Sequence, residues 1–174
     1  YPPDHAGQTQ PVKQAHRIWE RRKTPDLSGP RLGGSAVQAY TRERVGPDGL
    51  LGPEVGVSLT QMGCEVWSEA TAACIRRAWD VTGCRIVVTE SGIGTADSAQ
   101  RIDYIDKNLA GLAKAKADGI PVDGYLHWTL LDNFEWTNGY GPKFGLVNVD
   151  RETFKRTPKP SLRHLGMKAA SLRF

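Results

Sequence analysis

From Ala36 onward, apolar and polar positions fall into a repeating rhythm. Residues 36–40 alternate as a short strand, with Gln38 and Tyr40 on one face. Gly46, Pro47, Asp48 and Gly49, followed by Gly52 and Pro53, mark a long surface loop. A helix is predicted from Ser68 as N-cap, with Ala72, Ile75 and Trp79 on its inner face and Gly83 beyond its end. Ile86, Val87 and Val88 form a wholly apolar strand, as a sheet buried on both faces requires. Asp97 and Gln100 stand at capping-box spacing. Ile102, Ile105, Leu109 and Leu112 then recur at steps of three and four, and Gly119 closes that helix. Residues 122–131 read as another strand and 144–149 as a shorter one. The last helix begins at Pro160, with Leu162, Leu165, Ala169 and Leu172 facing inward.

Strand and helix alternate three times, which is the rhythm of parallel α/β architecture. A small doubly wound sheet and part of a barrel both satisfy it. Residues 1–35 hold five of the 11 prolines and no sustained period, so they read as an irregular connection leading into one unit over 36–174. Length adds an exclusion. A complete (β/α)8 barrel takes about 250 residues, and the chain has 174.

Charge and cysteines narrow the function classes. The net charge is +4, but the basic residues lie in short clusters separated by acidic ones, without the aromatic-interleaved stripe of a nucleic-acid surface. The three cysteines, Cys64, Cys74 and Cys84, are ten residues apart and fit neither a disulfide framework nor a zinc site. Reduced thiols in a cytoplasmic protein are the plain reading. No apolar run approaches membrane-spanning length, and the first residues, Tyr1 to His5, form no secretory signal.

Three places carry candidate chemistry. Glu90 ends a buried strand, where active sites of parallel α/β folds assemble, although position alone favours a loop cap or an arginine partner. Trp128, Glu135 and Trp136 form an aromatic and acidic cluster suited to stacking on a sugar ring, and equally to core packing. On the strand before them, the Tyr40 hydroxyl is placed to bond a neighbouring carboxylate. Ser91-Gly92-Ile93-Gly94 lacks the third glycine and the Lys-Ser/Thr of phosphate loops, which weighs against a nucleotide-binding domain.

Taken together, these places resemble a known family. Val88-Thr89-Glu90-Ser91-Gly92 is similar to the Thr-Glu-Asn-Gly nucleophile motif of the family 1 glycoside hydrolases. The run from Trp128 to Trp136 matches that family's Trp-Ser-Leu-Leu-Asp-Asn-Phe-Glu-Trp signature with one conservative change, Thr129 for Ser. Gly139-Tyr140-Gly141-Pro142-Lys143-Phe144-Gly145-Leu146 continues it, and Arg156 with Lys159-Pro160-Ser161 resembles its carboxyl-terminal end. The resemblance implies the sixth, seventh and eighth strands of a (β/α)8 barrel, incomplete in this chain, from an enzyme hydrolysing β-glycosides with retention. It implies Glu90 as nucleophile and Tyr40 as the residue that orients it. Gln38 stands where the family more often has Asn, and Ser91 where it has Asn. Trp128 would floor the first sugar subsite, Glu135 and Trp136 would hold its outer hydroxyls, and Phe144 would line it.

The implied partner is a β-glycoside or oligosaccharide, with no metal, cofactor, nucleic acid or membrane; oligomeric state is left open. The family's acid/base Glu lies in an Asn-Glu-Pro motif, and this sequence contains no Asn-Glu pair. The isolated chain is therefore expected to be nearly inactive. The rival reading is a non-catalytic carbohydrate-binding remnant that keeps the aromatic platform.

Overall fold

The computed structural model describes residues 33–171; residues 1–32 of the proline-rich stretch, and Leu172 of the last helix, lie outside them. In chain order the elements are β1 (Gly34–Gln38), β2 (Arg44–Gly46), β3 (Gly49–Leu51), α1 (Ala70–Thr82), β4 (Arg85–Ser91), α2 (Ser98–Ala117), β5 (Val122–His127), β6 (Val147–Val149), β7 (Arg156–Pro158) and α3 (Pro160–Ser171). Strands β1, β4 and β5 lie side by side and parallel, in that order. Val37, Ile86, Val88 and Val122 face a core completed by Ala70, Cys74, Ile75 and Ala78 of α1 and by Leu112 and Ala115 of α2. Both helices thus cover one face of the sheet, as in an arc of a barrel.

Several boundaries move from their predicted places. Regular structure starts at Gly34, inside the stretch read as connection, where buried Ser35 bonds the Thr82 hydroxyl at 3.1 Å. The turn residues 46–49 close an antiparallel hairpin, β2–β3, rather than an open loop. Glu69 occupies the N-cap of α1 without a side-chain bond, so Ser68 is not the cap. The buried face of α1 runs through Thr71, Cys74, Ile75 and Ala78, which puts small residues against the sheet and leaves Ala72 and Trp79 at its margin.

Asp97 caps α2 by accepting from the Ala99 amide at 2.8 Å. Its own amide donates to the Thr95 hydroxyl at 3.1 Å instead of to Gln100, so only half of the capping box forms. Arg101, Tyr104 and Asn108 join Ile105 and Leu112 on the buried face, a polar line that apolar periodicity does not register.

Strand β5 ends four residues short of the predicted Leu131. Trp128 makes its last ladder bond, to the Ser91 carbonyl at 2.9 Å, and the backbone then pairs with residues 144–147. The Leu146 amide donates to Thr129 at 2.9 Å and the Val147 amide to Leu130 at 2.8 Å. Strand β6 is accordingly confined to three residues, and it pairs with β7, whose three residues are exposed and carry no apolar signal. On α3, Ser161 is the one buried residue; Leu162 and Leu165 are half-buried and Ala169 is exposed. No helix among the described residues is long and apolar enough to cross a membrane.

One irregularity positions the site. Strict alternation along β4 would send residues 86, 88 and 90 to the helix side. Instead the register slips at residue 89: Val37 pairs with Val88, and Gln38 pairs with Glu90. Val88 stays in the core, Glu90 turns to the opposite face, and Ser91 takes the buried position behind it. A bulge of this kind re-aims one side chain without disturbing the packing beneath. Val87, on the same open face, is only half-buried, so β4 is not apolar-packed on both sides.

Candidate active site

Glu90 is held at both carboxylate oxygens. The Tyr40 hydroxyl donates to Oε2 at 2.5 Å and the Gln38 amide nitrogen donates to Oε1 at 2.9 Å. Burial, and then the Glu90 carboxylate itself, push the Tyr40 phenol far above its ordinary value, so this hydroxyl remains a donor. The Ala39 amide donates to the Glu90 carbonyl at 3.0 Å, which continues the β1–β4 ladder to the tip of the strand.

Glu90 opens into a cavity of about 390 Å³, in the size range of a small-ligand pocket. Of the residues singled out in the sequence, Tyr40, Glu90, Trp128, Glu135, Trp136 and Phe144 line it, and Gln38 reaches it through Glu90. Phe144 stands edge-on to Tyr40 with ring centroids 6.0 Å apart. Among the described residues, Glu135 and Glu90 are the carboxylates of the lining, and no Lys, Arg or His lines it. Burial, and the nearby Glu90 charge, push Glu135 above its ordinary value. Trp136 is 82% exposed, at the open side of the cavity.

Sequence reasoning missed one wall. Thr41, Thr60, Met62 and Cys64, from the segment between β1 and α1, line the cavity together with the aromatic cluster. That segment has no periodicity, and only the adjacency of Thr41 to Tyr40 signals it. Its position is set by backbone bonds, such as the Gln61 amide to the Gly94 carbonyl at 2.8 Å. Buried Glu65 fastens its end, accepting from the Glu54 amide at 2.8 Å and from Arg42 Nε at 2.6 Å. Burial raises this carboxyl, but the amide and the guanidinium outweigh it and hold Glu65 below the ordinary carboxylate value.

Glycine is required where the strands close on each other. A Cβ on Gly92 would stand 1.8 Å from the Trp128 carbonyl oxygen, so no side chain fits between the loop after Glu90 and the end of β5. Behind the aromatic cluster, buried Asp132 accepts from Lys159 Nζ at 2.9 Å on each oxygen and from the Gly145 amide at 2.8 Å. Burial, aided by Arg101 and Lys143, holds Lys159 below its ordinary value.

His127, at the end of β5, touches the Tyr125 hydroxyl through Nδ1 at 3.1 Å. Burial, with Arg101 nearby, pushes its imidazole down to about 4. A free histidine titrates near about 6.5, so on acidification the unfolded chain takes up this proton first. The contribution of neutral His127 to stability is therefore fully present above about pH 6.5 and is lost progressively as pH falls towards about 4. The urea midpoint of the His127→Gln variant should fall less than that of the parent across this window; parallel curves would show that His127 does not drive the loss.

A parallel sheet with both helices on one face and a carboxylate pocket at its carboxyl ends has the arrangement of an arc of an α/β barrel enzyme. The profile described as "Glycosyl hydrolase family 1" matches residues 54–169. A β-glucosidase of Agrobacterium sp. is 34% identical over 142 residues, 70% of this chain and 30% of that protein. A 6-phospho-β-galactosidase of Streptococcus equi subsp. zooepidemicus is 45% identical over 85 residues, 44% of this chain and 18% of that protein. The apo structure of a β-glucosidase designated 1317 superposes with a TM-score of 0.77 at 48% identity, covering 80% of this chain and 35% of that one. The chain belongs to glycosyl hydrolase family 1. It spans about a third or less of the length of these relatives.

Proposed function

We propose that this chain supplies the sixth, seventh and eighth strands of a retaining β-glycosidase, with Glu90 as its nucleophile. The observation that carries this reading is the carboxylate of Glu90, gripped at both oxygens by Tyr40 and Gln38 and open to the cavity. A carboxylate so held keeps one orientation and presents a lone pair to the anomeric carbon. As the Glu90–carbon bond forms, the glycosidic bond breaks and its electron pair leaves with the aglycone oxygen. Water then displaces Glu90 from the opposite face, and two inversions give net retention. Tyr40 orients Glu90 and Gln38 assists it. Trp128 floors the sugar site, Glu135 and Trp136 bind its outer hydroxyls, and Phe144 closes its side.

The lining favours an uncharged sugar. Among the described residues two carboxylates and no cation face the cavity, so a 6-phosphate group would meet repulsion there and no counter-charge. A neutral β-glucoside or close relative therefore fits better than a 6-phosphoglycoside.

Activated 2-deoxy-2-fluoro sugars test the nucleophile, because a dinitrophenolate leaving group departs without a proton donor. Incubation of the chain with 2,4-dinitrophenyl 2-deoxy-2-fluoro-β-D-glucoside should add one fluoroglucosyl group. Peptide mass spectrometry should place it on Glu90; a label on any other residue would overturn the assignment. The remnant reading instead predicts saturable sugar binding with no adduct.

A further inference from the structure

Behind Glu90, on the helix side of the sheet, lies a cluster of three buried hydroxyls and an amide. Thr71, Ser91, Tyr104 and Asn108 are each at most 1% exposed, and they come from α1, β4 and α2. Thr71 Oγ1 lies 2.9 Å from Ser91 Oγ, and Ser91 Oγ lies 3.3 Å from the Tyr104 hydroxyl and 3.2 Å from Asn108 Oδ1. The Tyr104 hydroxyl also lies 3.0 Å from the backbone carbonyl of Tyr40, the residue that grips Glu90.

Counting hydrogens gives the bonds of this cluster their directions. A carbonyl only accepts, so the one phenolic hydrogen of Tyr104 goes to Tyr40. Asn108 Oδ1 only accepts as well, so the single hydrogen of Ser91 goes to it, and Thr71 in turn donates to Ser91. Three donations are thereby directed, Thr71 to Ser91, Ser91 to Asn108 and Tyr104 to Tyr40, while the Ser91 and Tyr104 oxygens meet at 3.3 Å. Burial pushes the Tyr104 phenol above its ordinary value, so it keeps its hydrogen. Asn108 Nδ2, donating to the Tyr104 carbonyl at 2.9 Å, locks the amide that faces Ser91.

We infer that Tyr104 is a positioning residue for the Glu90–Tyr40 pair, bracing Tyr40 through its carbonyl and standing against Ser91, the residue after Glu90. From the helix side of the sheet, one hydroxyl thus meets both strands' ends, the segment after β1 at Tyr40 and β4 at Ser91. The hydroxyl of Ser91, which stands where the family has Asn, ties the strand to both helices. The inference deepens the reading of Glu90 as nucleophile and rests on it for its kinetic consequence only.

Two measurements on the whole chain test it. The chain has five tyrosines, so 3-fluorotyrosine labelling gives one fluorine resonance for each, and Tyr40→Phe assigns that of Tyr40. In Tyr104→Phe the Tyr40 resonance should shift or broaden, whereas the exposed-site variant Tyr140→Phe should leave it in place. An unmoved Tyr40 resonance in Tyr104→Phe overturns the proposal whatever the role of Glu90. In the second measurement, the maximal rate of fluoroglucoside labelling should fall about 10- to 100-fold, as misplacement near the reacting atoms does. The half-saturating reagent concentration should stay the same. A fall in thermal stability with an unchanged maximal rate would reduce Tyr104 to a structural role. Should Tyr104→Phe fail to fold, Ser91→Ala carries the same test, with a smaller fall expected and an unchanged rate overturning the brace. If the parent chain is labelled elsewhere, the nucleophile assignment fails while the fluorine result still decides the brace.

Discussion

Mixed with 2,4-dinitrophenyl β-D-glucoside, the 174-residue chain should release one equivalent of dinitrophenolate and then stall. The first step needs only a nucleophile, because the leaving group is stable as an anion. The second step needs a base to take a proton from water. Among the described residues, the one carboxylate of the lining besides Glu90 is Glu135, raised in proton affinity by burial and by Glu90. Without general-base help the glycosyl-enzyme should hydrolyse about 100- to 10,000-fold more slowly than with it. Azide carries no proton to remove, so adding it should restart release and yield the β-glucosyl azide. Glu90→Gln should abolish the first equivalent. Steady turnover without azide would show that the chain contains its own acid/base, with Glu135 the first suspect. An α-azide product would contradict a double displacement.

Asp132→Ala should destabilise the fold by about 3 to 5 kcal/mol, the cost of leaving one partner of a buried ion pair alone. Asp132 is 3% exposed, and its carboxylate meets Lys159 on both oxygens. The alanine would strand the ammonium and free the Gly145 amide, which now donates to Asp132. Because that amide follows Phe144, the cavity wall should loosen along with the fold. The double variant Asp132→Ala/Lys159→Met should recover part of the loss by removing the stranded charge. Urea unfolding monitored by tryptophan fluorescence reads both; a single-variant loss under about 1 kcal/mol would mean the pair is solvated.

The residues that meet at the cavity stand out in the sequence for two different reasons. Glu90, Trp128, Glu135 and Trp136 sit in contiguous motifs, so short-range order alone singles them out. Gln38 and Tyr40 stand out because a period of two along β1 and the residues after it puts both on one face. The helices were found by their apolar steps, but α1 is rotated relative to the reading, since small residues rather than large ones meet the sheet. Periodicity was blind to buried polar residues. Arg101, Tyr104 and Asn108 look like solvent positions in a hydropathy pattern, yet they form part of the packed face of α2. It was equally blind to the wall at Thr60, Met62 and Cys64, which exists only because distant backbone groups pair. The exposed strand β7 has no apolar residue to reveal it; its partner β6 holds it.

The slipped register at residue 89 sets a rule for anyone transplanting this site. Copied letter by letter onto an ideal strand of a designed sheet, the motif would drive its carboxylate into the hydrophobic layer beneath. Its serine would emerge on the working surface. A host strand must therefore carry the same surplus residue, and a neighbour able to tolerate the resulting mismatch. Deleting Thr89, the surplus residue, is the other route: alternation straight after Val88 would then put the acid on the open face and the alcohol in the core with no slip to accommodate.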